Sequence, residues 1–138
     1  MKALIVAVSA SALLAACGSM GHDSGVASSN TTSASSASTP SRAADGTLIG
    51  PNGRTLYVFA RDVAGSGRSA CVDGCAANWP PLGVAPNAVA LGEYTIINRA
   101  DGARQWAFKG MPLYYFAKDA KPGDKSGDGV GGVWRVAR

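Results

Sequence analysis

Gly53-Arg54-Thr55-Leu56-Tyr57-Val58-Phe59-Ala60-Arg61-Asp62 and Gly110-Met111-Pro112-Leu113-Tyr114-Tyr115-Phe116-Ala117-Lys118-Asp119 are two versions of one pattern. With residue 53 laid over residue 110, Gly, Leu, Tyr, Phe, Ala and Asp coincide, and a basic residue precedes Asp in both. Trp79 follows the first block at nearly the distance at which Trp134 follows the second. An internal duplication is the simplest account of these coincidences. Each block is rich enough in aromatic and apolar residues to form a strand buried on both faces, and each ends on an Asp suited to an Asx-type turn. Asp62 and Asp119 are therefore expected to satisfy backbone donors where the strands end rather than to catalyse.

Between the blocks, Tyr94-Thr95-Ile96-Ile97-Asn98 and Gln105-Trp106-Ala107-Phe108 flank Asp101-Gly102, which predicts a β-hairpin. A short helical or turn segment is expected around Cys71 to Asn78. Trp79-Pro80-Pro81 should close it, because proline disfavours helical geometry in the residue before it. The expected fold is mainly β, a small single domain of two degenerate strand-and-turn repeats with little helix.

Upstream, the chain begins Met1-Lys2, runs through apolar residues to Leu13-Leu14 and reaches Ala15-Ala16-Cys17. A short charged start, an apolar core and a small-residue cleavage site form an export signal. The apolar run is shorter than the about 20 residues a spanning helix needs. Leu14-Ala15-Ala16-Cys17 matches the lipobox, so residues 1–16 read as a lipoprotein signal peptide and Cys17 as the lipidated residue that ties the protein to a membrane. Gly18 is not the Asp that favours inner-membrane retention, which points to the outer membrane if the host is Gram-negative. Residues 17–44, dominated by Ser, Ala, Thr and Gly, read as the lipidated N-terminus and a tether. The folded domain is expected over residues 45–138.

Thirteen Lys and Arg against nine Asp and Glu give a net charge of +4. These residues are scattered, with no basic run or aromatic-basic module, so nucleic acid is not an expected partner. The sole histidine, His22, falls in the tether, which removes most hydrolase mechanisms that need an oriented imidazole. The chain is read as non-enzymatic, with no metal and no cofactor. Asp124-Lys125-Ser126-Gly127-Asp128-Gly129 imitates the first half of a calcium loop, but Arg135 stands where the bidentate Glu is required.

Once Cys17 is lipidated, Cys71 and Cys75 are the remaining thiols, and an exported pair ordinarily forms a disulfide. Cys-x-x-x-Cys also suits Cu(I), yet the helpers such a site needs are remote, His22 in the tether and Met111 just before the second block. Among the aromatics, Tyr57, Phe59, Tyr94, Trp106, Tyr114, Phe116 and Trp134 are expected mostly in the core. Strand alternation sets Tyr115 on the other side from Tyr114 and Phe116, towards solvent and a partner.

Tyr57-Val58-Phe59-Ala60-Arg61-Asp62 and Tyr114-Tyr115-Phe116-Ala117-Lys118-Asp119 both fit Tyr-x-aromatic-x-x-Asp. Together with Cys71-Val72-Asp73-Gly74-Cys75-Ala76, Trp79-Pro80-Pro81-Leu82, Asp101-Gly102 and Pro122-Gly123-Asp124, they make the chain resemble the family of predicted bacterial lipoproteins named for that motif, also described as a secreted repeat of unknown function. The resemblance implies an envelope lipoprotein with a paired repeat and brings no catalytic residues. The functional expectation is a membrane-anchored envelope module that binds an envelope protein or small ligand, with a redox or copper-handling role for Cys71 and Cys75 as the alternative.

Overall fold

The computed structural model describes residues 39–138. The signal peptide, Cys17, His22 and most of the expected tether lie outside the described residues. The fold is mainly β, with elements in the order β1 (Ser41–Arg42), β2 (Leu48–Ile49), β3 (Tyr57–Phe59), α1 (Gly74–Asn78), β4 (Tyr94–Asn98), β5 (Arg104–Phe108), β6 (Met111–Pro112), a 3-10 turn (Val130–Gly132) and β7 (Trp134–Val136). Three small antiparallel sheets result: β1 with β2, β3 with β7, and β4-β5-β6.

The Asp101-Gly102 hairpin forms as its sequence predicts. Asn98 pairs with Arg104 and Tyr94 with Phe108; Asp101 accepts the Ala103 N–H at 3.0 Å, and Gly102 takes the left-handed conformation that the turn needs. A second tight turn, Lys109-Gly110, joins β5 to β6 with both residues at positive φ, as two-residue hairpins require.

Alternation along each motif divides the interior into two clusters. Leu56 and Leu113 face one, with Leu48, Leu82, Trp106, Phe108 and Ala137. Tyr57, Phe59, Tyr114 and Phe116 face the other, with Cys71, Trp79, Trp134 and Val136. The two motifs form the layer between the clusters, which is why both their faces are apolar.

The structure departs from three sequence expectations. The fold begins before Asp45: Ser41–Arg42 pairs with β2, and Arg42 donates to the Gly46 carbonyl at 2.8 Å. Backbone pairing to a strand anchored by buried Leu48 needs no apolar side chains, so composition gives no sign of it. Only Met111–Pro112 of the second motif is a regular strand; beyond it the motif makes isolated bridges, Tyr114 to Tyr57 and Tyr114 to Pro81. Pro80 has no N–H to return the Tyr115 N–H to Pro80 carbonyl bond of 2.8 Å, and the next bond of the ladder comes only beyond Pro81, from the Leu82 N–H to the Leu113 carbonyl at 2.9 Å. Tyr115 does lie opposite Tyr114 and Phe116, but it is half-buried against the other cluster rather than turned fully to solvent. Its ring packs against the first cluster, its hydroxyl fills the space a Cβ on Gly50 would occupy, and Arg54 stacks over it at 5.5 Å. Burial raises its pKa.

Candidate functional site

The two motifs meet at their tyrosines. Tyr57 N–H donates to the Tyr114 carbonyl at 2.8 Å, and Tyr114 N–H returns a bond to the Tyr57 carbonyl at 3.0 Å. About this junction the repeats exchange partners. β3 of the first repeat pairs with β7 of the second, setting Phe59 opposite Trp134. The Tyr114–Phe116 segment of the second runs against Trp79 to Pro81 of the first, through the Ala117 N–H to Asn78 carbonyl bond of 2.9 Å. Each tryptophan thus covers the other repeat's motif.

The result is a stack of four rings. Phe59 lies on Trp134 with centroids 4.4 Å apart, Trp134 on Trp79 at 3.7 Å, and Trp79 on Phe116 at 4.2 Å. Tyr57 meets Trp79 edge-on at 5.4 Å and Tyr114 meets Trp134 edge-on at 5.2 Å. Offset and edge-to-face contacts of this kind add about 0.5–1.5 kcal/mol per pair beyond area burial. Gly127 is required beside the stack, since a Cβ there would fall 2.8 Å from Trp79 Cη2 and 2.9 Å from Tyr57 Cε1.

The hydroxyls are exchanged in the same way. Tyr57 donates to Asp119 Oδ2 at 2.6 Å and Tyr114 to Asp62 Oδ2 at 2.7 Å, so each phenol serves the acid of the other repeat. The second carboxylate oxygens accept backbone donors: Asp62 Oδ1 takes the Ala70 N–H at 2.6 Å and Asp119 Oδ1 the Ser126 N–H at 3.1 Å, with the Ser126 hydroxyl also on Asp119. The acids do satisfy backbone donors. They reach across long loops rather than closing Asx turns, because their side chains point inward to the tyrosines. Burial raises the pKa of Asp62, against the Ala70 N–H and Tyr114 hydroxyl bonds that lower it. Both tyrosines are pushed above their ordinary value, first by burial and then by the neighbouring carboxylate.

Cys71 and Cys75 are joined, with Cα atoms 5.2 Å apart, and Cys71 is fully buried in the aromatic cluster. The bond spans the entry to α1, whose preceding residue, Asp73, adopts positive φ. Met111 is half-buried on β6. Asp124, Ser126 and Asp128 of the calcium-like run are engaged separately: Asp124 accepts the Ala120 and Lys121 N–H groups, Ser126 bonds Asp119, and Asp128 accepts the Val136 N–H.

Sequence reading missed Arg99, Ser69 and Gln105. Arg99 is buried at 6 % exposure. Its guanidinium donates to Ser69 Oγ at 2.9 Å, Gln105 Oε1 at 2.7 Å and the Cys71 carbonyl at 2.7 Å. Gln105 passes the connection to the Leu113 carbonyl, and Ser69 to the Tyr114 hydroxyl at 2.7 Å. One signal was present: laying residue 53 over residue 110 also lays Ser69 over Ser126, and both serve a motif Asp or its tyrosine. Two clefts open beside Arg99. One of about 400 Å³ is lined by Arg68, Ser69, Asn98, Arg99 and Ala100. The other, of about 530 Å³, is bordered by Val72, Asp73, Ala76 and Asp101 on the far side of Arg99 and Ala100.

Two intertwined β repeats, the first carrying a disulfide and the two closed on each other by exchanged Tyr–Asp pairs, define a duplicated β domain. A family described as a secreted repeat of unknown function matches over residues 39–83 and again over 95–138, and the chain belongs to that family. The two matches fall on the two units that exchange partners in the fold. Neither a curated protein nor a solved structure matches the chain.

Proposed function

We propose that the protein is a lipid-anchored module of the cell envelope that acts by binding rather than by catalysis. Anchoring rests on Leu14-Ala15-Ala16-Cys17, and membership of a secreted family agrees with export. The observation that carries the binding reading is the consumption of the motif's reactive groups by the fold. Tyr57, Asp62, Tyr114 and Asp119 are all buried and bonded to one another, so none is presented to a substrate. What reaches the surface instead is the cleft system around Arg99. The disulfide supports the same reading, since Cys71 is sealed in the core and offers no thiolate to copper or to exchange chemistry.

Two experiments test this. Metabolic labelling with a fatty acid should tag the wild type and not Cys17→Ser, and labelling of the variant would refute the anchor. Photo-cross-linkers placed at exposed positions in the anchored protein should trap a partner from at least one surface, and silence from all of them would refute the binding role.

A further inference from the structure

β4 is the outer strand of its sheet. At the ends of its ladder, Arg99 N–H donates to the Ala103 carbonyl at 2.8 Å and Lys109 N–H to the Glu93 carbonyl at 2.9 Å. With the register unbroken from Asn98↔Arg104 to Tyr94↔Phe108, the odd-numbered residues turn their backbone groups to β5 and the even-numbered ones turn theirs away. Tyr94 spends its outward pair on Leu91, at 2.9 and 3.0 Å. Ile96 and Asn98 are left with N–H and C=O groups pointing off the sheet.

An open edge is a template for another strand, and proteins ordinarily guard it with lysine, proline or a bulge. Tyr94-Thr95-Ile96-Ile97-Asn98 has none of these. It is uncharged and rich in residues that favour strands.

Where the edge ends, the charge changes. Asn98, Arg99, Ala100, Arg68 and Ser69 line the smaller cleft. Arg68 is exposed and forms no ion pair among the described residues. The Arg99 guanidinium donates to neutral acceptors, and its buried Nε, without a hydrogen-bond partner, forms an ion pair with the Asp101 carboxylate at 3.9 Å. Arg68 is thus the guanidinium free to take a carboxylate, to which Arg offers planar, bidentate recognition, while the buried Arg99 adds positive charge beside it.

We propose that the edge of β4 adds an extended peptide strand whose acidic end seats on Arg68, in the cleft beside the buried Arg99. The proposal deepens the binding reading and rests on it. Main-chain bonds to Ile96 and Asn98 supply the pairing, and the cleft supplies selectivity, as in other cases of strand addition. A second copy of the chain is the poorer occupant, because two molecules that both carry net positive charge repel.

The test uses the full chain labelled with 15N, titrated with the peptide acetyl-TVTVDE bearing a free C-terminus and with its neutral counterpart, amidated acetyl-TVTVNQ. The acidic peptide should shift the Ile96 and Asn98 amides and slow their hydrogen exchange, and it should bind about tenfold more tightly than the neutral one. Arg68→Glu, a surface change, should erase that preference. Asn98→Pro removes an outward N–H that the β5 ladder does not use and should abolish binding with the remaining amide signals in place. Equal binding of the two peptides, shifts elsewhere than β4, no binding, or dimerisation through β4 would each overturn the proposal. Cross-linkers at Asn98 and at exposed Lys118 separate this failure from that of the parent reading. Adducts from Asn98 are expected; adducts from Lys118 alone would overturn strand addition and leave a binding module, whereas none from either would count against both.

Discussion

Tyr114→Phe removes one oxygen and tests whether the exchanged Tyr–Asp pairs hold the repeats together. The phenol donates to Asp62 Oδ2 at 2.7 Å and accepts from Ser69 Oγ at 2.7 Å, while the ring remains free to keep its edge contact with Trp134. Asp62 retains the Ala70 N–H at 2.6 Å, so the carboxylate is left half-served rather than abandoned. Hydrogen bonds to charged groups contribute about 1.5–3 kcal/mol, and stranding a buried acceptor costs a similar amount. A loss of about 2 kcal/mol at neutral pH follows, which for a domain of this size lowers Tm by roughly 10 °C. The deficit should depend on pH in a definite sense. Asp62 already has a raised pKa in the folded state, and losing a donor to its ionised form raises it further. A group with a raised folded pKa favours folding below its unfolded value and loses that contribution as pH rises through the folded one. The gap between wild type and Tyr114→Phe should therefore be widest at neutral pH and narrow on acidification. Urea unfolding at several pH values, followed by tryptophan fluorescence, measures it. A variant within about 0.5 kcal/mol of wild type at pH 7, the ordinary range for a surface change, would refute the idea that the phenols are needed by the acids.

Other expectations follow from the same geometry. Tyr57, Tyr114 and Tyr115 all keep their protons above the ordinary value near 10, so the unfolded chain releases three protons that the folded one holds. Stability should fall from about pH 10 upward by about 4 kcal/mol per pH unit, and each single Tyr→Phe variant at these positions should take about a third off that slope in alkaline unfolding curves. Trp79→Ala takes out the ring lying between Trp134 and Phe116 and should cost about 3–5 kcal/mol, with collapse of the near-ultraviolet circular dichroism. Reducing Cys71–Cys75 should cost less than the ~3 kcal/mol estimated for a 15-residue loop and leave that near-ultraviolet signal largely intact.

Self-alignment of the sequence is enough to find the two motifs, their tryptophans and the β4–β5 hairpin, because these depend on local patterns: a repeat, an alternation, an Asp-Gly turn. It does not reveal that the repeats exchange partners. Trp79 and Trp134 occupy equivalent places only because each covers the other repeat, a relation made by contacts distant in sequence. Nor does local pattern distinguish an Asp that closes its own turn from Asp62, whose carboxylate reaches Tyr114. Pro80 and Pro81 were visible as the end of a helical segment. Their larger effect, thinning the ladder against Tyr114 to isolated bridges, required knowing which strand they face.

Arg99 shows why the candidate site was the least legible part. In the sequence it is one of thirteen scattered basic residues, next to a turn where a solvated arginine is the ordinary case. Its burial comes from the hairpin folding back on the Cys71 loop, so that Ser69, the Cys71 carbonyl and Gln105 converge on one guanidinium. The same folding leaves β4 at the rim of its sheet with Arg68 beside it. The motif that identifies the family is thereby spent on joining two repeats. The surface that this joining exposes is made of residues outside the motif, Arg68, Ile96, Asn98 and Arg99. A function written in those residues would vary between relatives that share the fold, since nothing in the Tyr–Asp framework constrains them.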